Sequence, residues 1–392
     1  MPVAAVPSYL GQEFEDASPG MRFGMYLKLW GVNREQNKID WRSADRVWPQ
    51  QKKYPRWEDQ DNKKEAIEAA CVLTPNDKKI LKTFYDRQCA LASLATEVLV
   101  FHGQSTAPFT TGLGNEHPLE NGFAFLWPYG LPYLPGSGVK GVLRQAAREL
   151  APDVEIEGMG QWDVATDWSA HAIEALFGSE DSNDAQRGAL QFWDVMPQIK
   201  GDRLMVEIMT PHQKHYYQGN EPPHDSGQPT PISFLTVPPD SGFTFHVQCD
   251  RVRLQRLAPE LARNARWRVL LEAAFEHAFD WLGFGAKTAV GYGAMRLMDN
   301  EECQAQAEKA KMDSLRCGWV DEQIGKISEE TNSKPEEVLR GKRLANAWQS
   351  IDDPELKAAA LADIQARWQA HGWWDNPPSP AAKKTRSAYD AD

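Results

Sequence analysis

Pro135-Gly136-Ser137-Gly138-Val139-Lys140-Gly141-Val142-Leu143-Arg144 is the stretch whose reading decides the fold. Three glycines loosen its start, and an apolar stripe of Val139, Leu143, Ala146 and Leu150 then follows at helical spacing. It predicts a helix to about Leu150 with a glycine-rich opening. A second stretch lies far along the chain: Gly283-Phe284-Gly285-Ala286-Lys287-Thr288-Ala289-Val290-Gly291-Tyr292-Gly293. It follows an apolar helix pattern over Arg266–Leu282, with Trp267, Leu271, Ala274, Ala278 and Leu282 inward and Gly283 ending it. Each stretch joins flexible backbone to a single lysine. That pairing suits an extended anionic ligand, because backbone N–H groups and an ammonium both reach phosphate oxygens.

Between and around these stretches the elements alternate. Val98–Phe101 reads as a buried strand, and Gly103–Asn121 as a loop. Ala189–Val195, Leu204–Met209, Ser233–Val237, Thr244–Gln248 and Tyr292–Leu297 read as strands. The order is that of an α+β, ferredoxin-like sheet with insertions. Upstream, Thr74-Pro75-Asn76-Asp77 starts a helix running to about Ala90. Met1–Asp61 is irregular, and Trp30, Trp41, Trp48 and Trp57 mark it as a segment that packs against something. Beyond Asp299 the chain reads as helical, with a capping box at Ser333-Lys334-Pro335-Glu336 and a further helix from Asp353-Pro354 to Gly372. The expected divisions are an N-terminal extension (1–94), a core (95–298), a helical extension (299–376) and a disordered tail (377–392).

The two glycine-rich stretches, in this order, resemble the RAMP superfamily of CRISPR-Cas proteins. Thr210-Pro211-His212-Gln213-Lys214-His215-Tyr216-Tyr217, followed by Pro231-Ile232-Ser233-Phe234-Leu235-Thr236-Val237, narrows the resemblance to the sixth-subunit family of the type III-B (Cmr) effector complex. It covers roughly Ala95 to Met298, and neither end of the chain shares in it. It implies a ferredoxin-like, RRM-like core with an inserted thumb-like hairpin. It implies a non-catalytic backbone subunit in antiviral defence that holds guide CRISPR RNA toward its 3′ end together with target RNA. Its implied partners are neighbouring RAMP backbone subunits and small helical subunits, with target cleavage left to a different backbone subunit.

The candidate contacts follow from both readings. Lys140, Arg144 and Arg148 are spaced by four and share one helix face. Lys140 stands in the first turn, beside unpaired N–H groups and the positive end of the helix dipole. Such a triplet also describes a solvated face. The Gly283 loop is not a P-loop, since its lysine follows Ala286 and the helix precedes it. A helix stop explains Gly283, whereas Gly285, Gly291 and Gly293 together suggest close approach by a ligand or a neighbouring chain. Lys287 and Thr288 lie between them and are expected to approach the same strand as Lys140. The long polar stretch His212–Ile232 carries Lys214, His215, Tyr216 and Tyr217, which can stack on or hold bases. The same tyrosines would also serve as lids over a sheet.

A different class of function stays open. His212, Lys214 and His215 could cleave RNA by acid–base chemistry without metal. His212, His215 and His224 lack a carboxylate or thiol at standard spacing, so no metal and no cofactor is assigned. The five cysteines are scattered without a CxxC pair. A third possibility is an assembly subunit that touches no RNA. The net charge of −12 supports it, and 15 Lys and Arg face 25 Asp and Glu between Ala95 and Asp299. Whole-chain charge governs long-range steering rather than short contacts, so a subunit gripping a few phosphates inside an assembly can stay acidic outside. The early acidic residues and the lack of a ~20-residue apolar run point to the cytoplasm, with no membrane partner.

Overall fold

The computed structural model describes residues 14–27, 30–33, 38–41, 67–119, 121–154, 168–179, 185–210, 222 and 231–389. It divides into two units, Met1–Met298 and Asp299–Asp392. Among the described residues no helix is long and apolar enough to cross a membrane.

The first unit is organised by a four-stranded antiparallel sheet. Its order is Met295–Leu297, Val98–Ser105, Gly242–Cys249, Leu190–Phe192. Helix Gly136–Leu150 connects the Val98–Ser105 and Leu190–Phe192 strands, and helix Arg266–His277 connects the other two. The register sets Leu99 opposite Val247, Phe101 opposite Phe245 and Gly103 opposite Phe243. Because side chains alternate along strands, these residues share one face, and the two helices cover it. Phe245 is fully buried, with Phe275, Phe279 and Phe284 rings 5.6, 5.7 and 4.7 Å away. Gly103 leaves room for the Phe279 ring, which a Cβ would meet at 2.7 Å. The predicted stripe of Val139, Leu143, Ala146 and Leu150 is buried, and so are Trp267, Leu271, Ala274 and Ala278. Between the helices, His277 Nε2 lies 2.7 Å from Glu149 Oε2, and Gln145 donates to the other Glu149 oxygen at 2.9 Å.

The opposite sheet face carries polar side chains and is covered over His246, while Val100 beside it is exposed. His102 Nδ1 and Thr244 Oγ1 are 3.1 Å apart. His246 is 2 % exposed, stacks on Trp193 at 5.1 Å, and its ring nitrogens have no hydrogen-bond partner among the described residues. Burial, and then His102, push its pKa down to about 4. Helix Pro75–Leu94 starts at Thr74 with a complete capping box: Asp77 N–H donates to Thr74 Oγ1 (3.1 Å) and Thr74 N–H to Asp77 Oδ2 (2.8 Å).

Several elements differ from the sequence reading. Val98–Phe101 is half-buried, with Val100 41 % exposed, and its strand continues to Ser105. The Ala189–Val195 strand shortens to Leu190–Phe192, because Val195 turns to pair with Leu134 instead. The Met205–Met209 and Ile232–Thr236 strands pair with each other as a separate ribbon, with Met209 opposite Ile232. Helix Arg266–His277 passes into a wide last turn, Ala278–Leu282, where Gly283 N–H reaches back to Ala278 O (2.8 Å). Leu282 is only partly buried there. The last strand begins at Met295 and not Tyr292, since Gly291 and Gly293 hold positive φ in a turn.

The second unit is helical: Asn300–Thr331, Pro335–Leu339, Lys342–Gln349, Pro354–Ala370 and Pro380–Ala388. Asp299 and Glu302 form the capping box at its start. The one expected at Ser333 does not form; Lys334 occupies the cap position and Ser333 donates to Thr331 O. The segment expected as a disordered tail contains helix Pro380–Ala388. Ser379 caps it through Ala382 N–H (3.1 Å), and Ala382, Thr385 and Tyr389 are buried. Burying these side chains is what offsets the ordering cost that composition alone suggested would prevail.

Candidate nucleic-acid interface

Gly136 opens its helix pressed against the edge strand, where a Cβ would meet Phe192 O at 2.3 Å. Its N–H donates to Asp194 Oδ1 at 2.7 Å. The expectation of open N–H groups awaiting phosphate is therefore corrected at this position, where a carboxylate of the chain itself caps the helix. Lys140 and Arg144 lie one turn and two turns further on. Arg144 donates to Gly178 O at 3.0 Å, which turns its guanidinium toward the 178–188 segment. Arg187, exposed on that segment, completes a trio of cations. Burial lowers the Lys140 pKa, and Arg144 and then Arg187 lower it further. Sequence reading missed Arg187. It is a lone arginine with no periodic partner, and only the bridge between Gly178 and Arg187 brings it alongside.

The Gly283–Gly293 loop is shaped mainly by its own chain. Gly285 has φ +96°, and a Cβ there would lie 2.4 Å from Thr110 O. At Gly293, φ +69°, a Cβ would strike Phe284 O. Close approach by a ligand is thus not what these two glycines accommodate; Thr110 and Phe284 are the close neighbours. Gly291 differs, with φ +94° and open space around it. Lys287, at φ +60°, places Nζ 2.8 Å from Met209 Sδ and 5.9 Å from the centre of the Phe234 ring. Tyr292 OH donates to Glu207 at 3.3 Å. Thr288 begins a short 3₁₀ turn beside it.

Lys287 therefore faces the ribbon and not the Lys140 trio. The helix start flanks the Leu190–Phe192 edge of the sheet, whereas the loop feeds the Met295–Leu297 edge. Three strand spacings, about 14 Å, separate those edges. The single groove expected from both lysines is corrected to two patches. The second patch adjoins the ribbon from which segment 210–231 departs. Lys214, His215, Tyr216 and Tyr217 lie outside the described residues, as do His212 and His224. Among the described residues no group of three or more His, Cys, Asp or Glu is placed to hold a metal.

Comparison with known proteins relates part of the chain to a family. Residues 104–296 match the RAMP superfamily. The chain is 29% identical over 277 residues to the CRISPR system Cmr subunit Cmr6 of Pyrococcus furiosus, spanning 58% of this chain and 76% of that one. Among solved structures, the type III-B Cmr-beta complex bound to cognate target RNA matches at 20% identity with a TM-score of 0.42, over 60% of this chain and 69% of that chain. The crystal structure of Cmr6 from Pyrococcus furiosus matches at 24% identity with a TM-score of 0.31, over 52% of this chain and 98% of that chain. Residues 104–296 thus match a RAMP superfamily domain, and the chain is similar to the Cmr6 subunit of a CRISPR Cmr system.

Proposed function

We propose that the chain is a non-catalytic backbone subunit of a cytoplasmic type III-B effector complex. It holds guide CRISPR RNA toward its 3′ end and the guide–target duplex, between neighbouring RAMP backbone and small helical subunits. The core is ferredoxin-like, a reading supported by the 4-1-3-2 antiparallel strand order and the placement of the two helices. Segment 210–231 is its thumb, borne on the Met205–Met209 and Ile232–Thr236 ribbon.

The observation that carries the RNA reading is the trio Lys140, Arg144 and Arg187. Like charges gathered at one place raise each other's cost, and a polyphosphate strand offsets it. In a chain of net charge −12 such a gathering stands out. Lys140, Arg144 and Arg187 contact the guide backbone. Lys287, Thr288 and the open edge at Gly291, with Gly285 shaping the turn, border the strand presented by Lys214, His215, Tyr216 and Tyr217.

Binding of guide RNA across a salt series tests this. Lys140→Ala/Arg144→Ala/Arg187→Ala should weaken binding equally for different sequences and flatten the salt slope by roughly one unit per lost contact. Unchanged affinity and slope would remove the trio from the interface. The non-catalytic part is tested by incubating pure protein with single-stranded RNA without metal. Cleavage that disappears in His215→Ala would replace this reading with an endoribonuclease using His212, Lys214 and His215.

A further inference from the structure

The second unit carries a basic and aromatic patch that lies outside the RAMP match. Three segments build it: Leu339–Arg343, His371–Asp375 and Ser379–Tyr389. Helix Pro354–Ala370 ends where Gly372 takes φ +68°, and Trp373 N–H returns to Trp368 O at 2.8 Å. That turn sets the Trp373 and Trp374 rings edge-on to the buried Trp368, at 6.3 and 6.2 Å and 88°. The outward sides of the two indoles carry flat cationic or polar planes. His371, exposed, lies parallel to Trp373 at 4.2 Å and 13°. The Arg386 guanidinium sits 3.6 Å above Trp374, and Arg340 lies 5.8 Å from Trp373.

Charge concentrates at the same place. The three segments hold six Lys and Arg and one carboxylate, Asp375. Arg343 has a counter-ion in Glu330 at 3.8 Å, while Lys383 and Lys384 stand exposed on the helix that carries Arg386. Trp373 and Trp374 pack against the core that buries Trp368, a role that requires apolar cover only. Layered planes of imidazole, indole and guanidinium amid an excess of cations have a different use. Unpaired bases stack on aromatic rings and on guanidinium planes, and phosphates take the neighbouring ammonium groups.

We infer that this patch is a second nucleic-acid site, selective for single strands. Bases extend the stack that begins at His371, and Lys383 and Lys384 hold the backbone. A duplex keeps its bases stacked internally and offers only its phosphates. An acidic peptide would use the cations but not the planes. The site is independent of the Lys140 trio, which belongs to the other unit.

The test uses the full chain, a fluorescein-labelled unstructured 15-nucleotide RNA and its blunt duplex, read by anisotropy across a salt series. His371→Ala and Lys383→Ala/Lys384→Ala change exposed positions, and each is read in the parent and in the Lys140→Ala/Arg144→Ala/Arg187→Ala background. His371→Ala should weaken single-strand binding about tenfold and leave duplex binding unchanged. The lysine pair should flatten the single-strand salt slope by about 1.4. Both effects should persist in the second background. If the Lys140 variants have no effect while these do, the proposal above fails and this one stands. No effect in either background overturns the inference, as does equal loss on duplex and single strand. Abolition of all binding by the Lys140 variants alone, or equal competition by a poly-glutamate of matched charge, also overturns it.

Discussion

The two units build their cores with a different emphasis, although the first also buries Trp168, whose indole N–H donates to Leu270 O at 3.1 Å. In the first, Phe245 meets Phe275, Phe279 and Phe284, and Phe101 stacks on Phe275 at 4.0 Å across the sheet. In the second, Trp348 and Trp368 are buried together with Tyr389, and each indole N–H needs an acceptor. Trp348 Nε1 donates to Lys357 O at 2.9 Å and Trp368 Nε1 to Leu339 O at 3.1 Å. Phenylalanine fills space and leaves direction to the strands. Tryptophan fills space and also fixes which helix turn it meets, because its donor must be satisfied. A sheet supplies register of its own, and a bundle of short helices obtains part of its register from such bonds.

The largest expected effect tests the space-filling core. Phe245→Ala should cost about 3–5 kcal/mol, because several rings border the void and cannot collapse together. Denaturant unfolding followed by hydrogen exchange in 98–105 and 242–249 measures it, and a loss below about 1 kcal/mol would break the comparison.

The second concerns the polar face of the same sheet. His246 has a folded pKa of about 4, below its unfolded value, so the unfolded state binds the proton first as pH falls. Stability conferred by the neutral ring is fully present above pH ~6.5 and is lost toward pH 4, by about 3 kcal/mol. In His246→Phe the stability of the sheet should vary less over that window. An unaltered pH profile in the variant would show that another group carries the effect.

A smaller effect should expose the directional role of tryptophan. Trp368→Phe keeps most of the buried area but leaves Leu339 O without its donor, at a cost of about 1–3 kcal/mol. Thermal unfolding followed by near-ultraviolet circular dichroism reports it. A change within error would mean that packing alone sets the helix register.

The smallest effect is local to a helix end. Thr74→Ala removes the capping hydroxyl and should cost about 1 kcal/mol. Exchange protection of the Asp77 and Lys78 amides should fall first, and uniform protection would assign the helix start to tertiary contacts instead.

Legibility in the sequence followed the range of the interaction. Thr74 and Asp77 lie three apart, and the stripe from Val139 to Leu150 repeats at helical spacing, so both were readable from the residues alone. The Pro380–Ala388 helix was not readable, because its small and basic residues look solvated until Ala382 and Thr385 are buried and Tyr389 meets Trp348 and Trp368. Asp194 was invisible as a cap for Gly136 at a separation of 58 residues.

By itself the sequence determined the order of strands and helices, the two glycine-rich stretches and the family resemblance they carry. Helix caps and apolar periods are short-range and depend on residue type within a turn or two. Only the tertiary structure decided which cations meet. It set Arg187 beside Lys140, capped Gly136 with Asp194, and turned Lys287 toward Met209, 78 residues away. The physical reason is that a sheet's two edges are fixed by strand order, and strand order follows from the burial of both faces together rather than from any single segment.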